Sequence, residues 1–268
     1  MEFRTVVPID RANFQIEPLE EMLFVGSCFA ENMGRRFVDD KFRAVVNPFG
    51  TMYNPASILH TVERCEAAPQ TAVFTLGTNH VYRLRETGEI VDNCEKRPAR
   101  LFQEEELSID DCAQYLQRAI DILRKRQPNV RVIVTVSPIR YRKYGYHESQ
   151  LSKATLLLTV RKLQDIHYFP AYEIMMDELR DYRFYADDML HPSQQAIDYI
   201  WERFAETYFS ERTRQFLNEW QPIKAALNHR PFNPESEEYQ TFLAETQRKE
   251  AVLLDKYKNL IKNYHSYE

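Results

Sequence analysis

Short apolar runs that alternate with helical patterns constrain this chain more than any other feature. The clearest run, residues 130–136, reads Val-Arg-Val-Ile-Val-Thr-Val and follows the turn formers Gln127, Pro128 and Asn129. Branched side chains in such a run favour a pleated, buried strand. Residues 22–25, 42–46 and 72–76 form three more apolar runs, and 167–173 forms a weaker one in which Pro170 points to an edge or a bend. Between them, residues 110–126 place Cys112, Tyr115, Leu116, Ala119, Ile122 and Leu123 on one helical face, and 149–164 repeats Leu156, Val160 and Leu163 at helical spacing. Strands that alternate with helices predict a parallel sheet covered on both faces, with ligands at the carboxyl ends of the strands. The expected fold is a mainly parallel sheet with helices on both faces.

Beyond about Glu211 the pattern changes. Asn233-Pro234-Glu235-Ser236 can open a helix, and Tyr239, Phe242, Leu253, Leu254, Tyr257, Leu260, Ile261 and Tyr264 then recur at helical spacing. The chain is therefore expected to divide into an α/β domain, 1–210, and a helical extension, 211–268. The extension would pack as a helical hairpin on the core or on a second subunit, which makes a homo-oligomer through these helices one expectation. A formal charge of −5 in 268 residues argues against nucleic acid as a partner. No apolar run approaches the roughly 20 residues of a membrane span. Met1 to Asp10 lacks the basic start and apolar centre of a secretory signal, so the expected compartment is the cytoplasm. The four cysteines form no close pair, and neither a disulfide framework, a metal site nor an organic cofactor is expected.

The chemistry is expected at the strand ends. The run 22–25 leads directly into Gly26-Ser27-Cys28-Phe29-Ala30, a strand, tight turn and nucleophile before a helix start. After 42–46 comes Asn47-Pro48-Phe49-Gly50-Thr51-Met52-Tyr53-Asn54-Pro55, a shaped loop whose glycine lets a backbone N–H approach a ligand. After 72–76 comes Gly77-Thr78-Asn79-His80, where the Asn79 amide can donate to a developing oxyanion and His80 is a base by type only. In Asp188-Met189-Leu190-His191-Pro192, the three-residue spacing can bring the Asp188 carboxylate to Nδ1 of His191 and leave Nε2 free as a base.

Together these blocks resemble the SGNH/GDSL hydrolase superfamily, and within it the GSCFA-domain family, whose namesake is residues 26–30. Residues 135–138, 152–154 and 182–185 resemble that family too. The resemblance implies a three-layer α/β/α fold of the flavodoxin-like kind around a mainly parallel central sheet, and ester hydrolysis through Ser27, His191 and Asp188, with oxyanion donors from Ser27, Gly50 and Asn79. The substrate would be a small-molecule or carbohydrate ester. An O-acyltransferase using the same residues and a non-catalytic binding module are the alternatives. Ser27 is the favoured nucleophile, because it follows the glycine directly and a hydroxyl suits the superfamily's chemistry. A one-residue shift in alignment would make Cys28 the nucleophile instead.

Overall fold

The computed structural model describes residues 3–265, with side chains to residue 259. Its central sheet has five parallel strands in the order β2-β1-β3-β7-β8, namely β1 (Glu21–Gly26), β2 (Arg43–Val46), β3 (Thr71–Leu76), β7 (Arg131–Val136) and β8 (His167–Tyr168). Alternate residues of β1 enter different cores, as the pleat requires. Met22 and Phe24 pack with Phe29, Met33 and Phe37 of α1 (Cys28–Asp39) and with Ile200 and Phe204 of α6 (Gln194–Tyr208). Leu23 and Val25 face α2 (Pro55–Arg64), α3 (Ile109–Arg126) and α4 (Tyr146–Val160) through Ile58, Leu116 and Leu156. The sheet is thus covered on both sides. The strand order reverses at β1, so the crevice for a ligand lies at the carboxyl ends of β1 and β3.

Several boundaries differ from the sequence reading for identifiable reasons. The helix expected over 110–126 starts at Ile109, because Ser108 and Asp111 form a reciprocal capping box. The run 167–173 supplies only two strand residues. Pro170 lacks an N–H, and the backbone turns there into the short helix α5 (Ala171–Glu173). Asn54 and Pro55, read as loop, are the N-cap and first residue of α2. A separate antiparallel sheet was not anticipated. Its strands, β4 (His80–Leu84), β5 (Ile90–Val91) and β6 (Phe102–Glu106), are short and half polar, so they carry little apolar signal.

The C-terminal helices α7 (Glu211–Leu227) and α8 (Glu237–His265) pack on this same chain. Phe216, Trp220, Leu253 and Tyr257 join the core beside α1 and α6. The Trp220 indole donates to Asp39 O at 3.2 Å, and Lys224 meets Asp40 at 2.7 Å. These contacts grip the carboxyl end of α1, the end remote from residues 26–30. The side chains of Leu260, Ile261 and Tyr264 lie outside the described residues, as do Met1 and Glu2. Among the described residues, no helix is long and apolar enough to cross a membrane.

One backbone contact fixes the turn out of β1. Gly26 has φ +145°, and a Cβ there would stand 2.2 Å from the Thr75 carbonyl oxygen and 2.6 Å from its hydroxyl. Gly26→Ala combines a left-handed conformation with a backbone clash. It is expected to cost about 2–4 kcal/mol, read as a fall in the urea midpoint at unchanged slope.

Candidate active site

The site grows from the carboxyl ends of β1, β3 and β7. Ser27 is fully buried and caps α1. Its Oγ lies 2.9 Å from Thr75 Oγ1, donates to Ser137 Oγ at 2.9 Å, and accepts from Phe29 N at 3.2 Å. Its N–H is held by the carbonyl and hydroxyl of Thr75 at 3.1 and 3.0 Å. The Ser27 hydroxyl is therefore enclosed, joining the ends of β1, β3 and β7 and capping α1. The sequence reading placed a nucleophile here. In the structure that hydroxyl is engaged by Thr75, Ser137 and the Phe29 N–H, because a hydroxyl at an N-cap is drawn to the free N–H groups of its own helix.

Cys28, the first residue of α1, is half-buried. Burial pushes its thiol up to about 11, while its own N–H, the N–H of Phe29 and the charge of Lys153 act in the opposite sense and Asp188 adds to the rise. A thiol at a helix start beside a cation is usually acidified. Here desolvation wins, so Cys28 is a thiol at neutral pH and needs a base to become a strong nucleophile. Tyr53 and Tyr141 also feel the charge of a Cys28 thiolate, which puts both in its surroundings. Tyr53 packs edge-on against Tyr141, which stacks on Tyr144, which stacks on His80 with ring centres 3.9 Å apart.

Asp188 and His191 are brought together. Asp188 Oδ2 lies 2.6 Å from His191 Nδ1, and Oδ1 accepts from the N–H groups of Leu190 and His191 at 2.8 and 3.0 Å. These bonds, led by the His191 N–H, hold the Asp188 carboxyl well below the usual carboxylate range. An ionised Asp188 fixes the proton on Nδ1 and leaves Nε2 to accept. Met189, at φ +60°, makes the bend that closes this three-residue loop. Arg140, just beyond β7, ties the loop down: its N–H donates to Leu190 O and its guanidinium to Met189 O. Among the described residues no hydrogen bond joins Cys28 Sγ to the imidazole, a gap common before substrate binds.

Each of the three expected oxyanion donors makes a hydrogen bond within the protein, and Asn79 spends one of its two amide N–H groups on it. The Ser27 N–H is held by Thr75, the Gly50 N–H donates to Asn47 O at 2.8 Å, and Asn79 Nδ2 donates to Leu107 O at 2.9 Å. Asn47 instead secures the turn, since its Oδ1 accepts from Gly26 N at 2.9 Å. That leaves the amino end of α1 as the polar surface next to Cys28. His80 is buried at the start of β4, and burial lowers its proton affinity. Its ring is stacked rather than presented as a base.

Residues 137 and 153 carry more of the site than their sequence suggested. Lys153 is fully buried and donates to Gly77 O at 2.8 Å and Ser137 O at 2.9 Å. Its signal was present in the sequence, for it shares the buried face of α4 with Ser149, Ser152, Leu156 and Val160. A lysine on an apolar helical face is unusual enough to ask for a reason. Two cavities lie at opposite ends of the sheet. One of about 410 Å³ lies beside the His191 loop and is lined by Arg140, Tyr146, Met175, Met176 and Tyr185 among others. A larger one, about 650 Å³, opens at the opposite, amino ends of the strands around Glu21, Arg43 and Arg131, away from this chemistry.

A three-layer α/β/α sandwich with a carboxylate–imidazole pair at the carboxyl ends of its strands defines the class. Comparison with known families is specific: residues 21–72 and 65–204 match the GSCFA family model, and 220–263 match the model for the GSCFA domain protein C-terminal domain. The chain belongs to the GSCFA family. No curated protein matches it. Among solved structures it is similar to a protein described as a GDSL-like lipase from Parabacteroides merdae, with 11% identity, TM-score 0.47, and coverage of 73% of this chain and 98% of that one. It is also similar to the psychrotrophic esterase EstA from Pseudoalteromonas sp., with 14% identity, TM-score 0.41, and coverage of 74% and 98%. A carbohydrate esterase of family 3 from Talaromyces cellulolyticus is a third, with 11% identity, TM-score 0.38, and coverage of 69% and 95%.

Two outcomes follow from this geometry. Ser27→Ala removes a helix cap and leaves two buried hydroxyls short of a partner. It is expected to cost about 2–3 kcal/mol in urea unfolding, while Cys28 stays open to iodoacetamide in native buffer. Asp188 binds its proton more weakly folded than unfolded. Its contribution to the loop is therefore complete above the usual carboxylate range and is lost as pH falls through the lowered folded-state value. The amides of Leu190 and His191 should begin to exchange faster only in strongly acidic buffer. In Asp188→Asn they should exchange faster at neutral pH as well.

Proposed function

We propose that this chain is a cysteine-dependent acyl hydrolase that cleaves small acyl esters, with Cys28 as nucleophile, His191 as base and Asp188 as the group that orients it. The observation that carries the reading is the unequal burial of two neighbours. Ser27 is spent inside the sheet, and Cys28 is half-open at the start of α1 with Asp188 near enough to raise its pKa. Against the Gly-Asp-Ser start of the superfamily, Gly26-Ser27-Cys28 then puts Cys28 in the serine's place and Ser27 in the aspartate's. The serine triad expected from the sequence gives way to a thiol version of it.

In this mechanism His191 Nε2 takes the Cys28 proton as Sγ attacks the ester carbonyl and a C–S bond forms. Developing oxyanion charge meets the N–H of Cys28 and the amino end of α1. His191 returns the proton to the departing alcohol, leaving a thioester. Water, deprotonated by His191, then attacks the thioester carbonyl; the C–S bond breaks, the carboxylic acid departs and the imidazolium returns its proton to the sulfur. The high proton affinity of the thiol makes the base indispensable, since little thiolate exists beforehand. The aromatic wall of Tyr53, Tyr141 and Tyr144 offers flat, polar-tipped rings, a surface that suits a carbohydrate carrier of the ester.

Assays with p-nitrophenyl acetate and acetylated sugars test this. Cys28→Ala is expected to lower kcat/KM by about a thousandfold or more, His191→Ala by a similar factor, and Ser27→Ala by less than tenfold in the folded fraction. Full activity in Cys28→Ala would overturn the assignment.

A further inference from the structure

The mechanism above leaves one buried ionisable group unused. Lys153 is fully enclosed, yet among the described residues it forms no ion pair, and its two hydrogen bonds go to main-chain carbonyls at the ends of β3 and β7. A fold that needed only a tie between Gly77 O and Ser137 O could use a neutral donor. An enclosed ammonium is costly unless its charge meets another. The aromatic ring nearest its charge is that of Tyr172, 5.7 Å away. The single ionisable side chain acting on it is Cys28. Ser137 links the two places: its carbonyl holds Lys153, and its hydroxyl holds Ser27, the residue before Cys28.

We propose that Lys153 is the buried counter-charge of Cys28, a positioning residue whose ammonium, anchored on the Gly77 and Ser137 carbonyls, stabilises the negative charge on the Cys28 sulfur. This rests on Cys28 being the nucleophile and adds what its charge is set against. Burial holds the Lys153 ammonium down at about 7 against the upward pull of a Cys28 thiolate, so each ionisation favours the other. The other titratable groups around Cys28 are Asp188 with His191 from the loop before α6, Tyr53 from the loop before α2, and Tyr141 from the segment after β7. Asp188 opposes the thiolate and the tyrosines are neutral until strongly alkaline pH. Apart from the imidazolium that forms when His191 takes the Cys28 proton, Lys153 is the cation among these groups that favours it.

The test reads the thiol rather than the ester, so it is independent of whether the chain hydrolyses anything. In a Cys94→Ser background, which removes the other half-exposed thiol, the rate of Cys28 alkylation by iodoacetamide is followed against pH. Lys153→Met is expected to slow alkylation about tenfold near pH 7.5 and move the profile up by about one pH unit. Lys153→Arg should restore the rate to within about threefold. Superposable profiles for folded Lys153→Met and the parent would overturn the proposal and leave Lys153 a strut.

Should the Lys153 variants fail to fold, the coupling is read from the other side with Cys28→Asp and Cys28→Asn. A lysine that binds its proton more weakly folded than unfolded makes stability rise with pH, from about 7 towards the ordinary lysine value of about 10.4. In Cys28→Asn this rise should persist. In Cys28→Asp, a permanent carboxylate keeps Lys153 protonated and the rise should flatten. Parallel melting-temperature profiles for the two variants between about pH 6 and 9 would overturn the proposal.

Discussion

The site depends on a knot of hydroxyl hydrogen bonds at the carboxyl end of the sheet. Ser27, Thr75 and Ser137 come from β1, β3 and β7 or from the residue just after them, and their side chains meet at 2.9 Å. That knot decides where α1 begins. It also leaves the first helical residue, Cys28, half-buried where Ser27 is enclosed. Gly26 makes the knot geometrically possible, because any side chain there would occupy the space of the Thr75 carbonyl. Asn47 then fastens the next loop to the Gly26 N–H, so the turn is held from two sides.

Around this knot the electrostatics separate into two regimes. The Asp188–His191 pair stands half-exposed on a tight loop, and its carboxylate is stabilised by three hydrogen bonds. Cys28 and Lys153 sit deeper, where burial outweighs the nearby helix end and opposes both charges. In the proposed mechanism, a base in contact with solvent and a nucleophile reluctant to ionise form a complementary set. The base can exchange its proton with water, while the thiol acquires charge only when it reacts. The C-terminal helices act at a distance from this. They grip the carboxyl end of α1 and so hold the whole helix that presents Cys28.

Much of the fold was legible because its signals are local. The run 130–136 became β7, and the face of Cys112, Leu116, Ala119 and Leu123 became the buried side of α3, since pleat and helix periods are written directly in apolar spacing. The small sheet of β4, β5 and β6 was not legible. Its strands carry Arg83, Gln103, Glu104 and Glu105, and their pairing is stabilised by cross-strand contacts such as Arg83 with Glu105 rather than by an apolar stripe. The Asp188–His191 pair was readable for the same reason as α3: three residues of one loop can meet without help from elsewhere.

Sequence alone determined the main alternation of strands and helices, from which the central sheet's parallel sense follows, and the short-range carboxylate–imidazole pairing, because each is written in local spacing along the chain. Only the tertiary structure decided which of Ser27 and Cys28 is fully buried, that the amide of Asn79 turns to Leu107, and that Lys153 lies enclosed near Cys28. The partners of Ser27 lie 48 and 110 residues along the chain, and those of Lys153 lie 76 and 16. No spacing in the sequence encodes those separations. They come into contact only when β1, β3 and β7 align in one sheet, and at that point burial, rather than residue type, assigns each polar group its work.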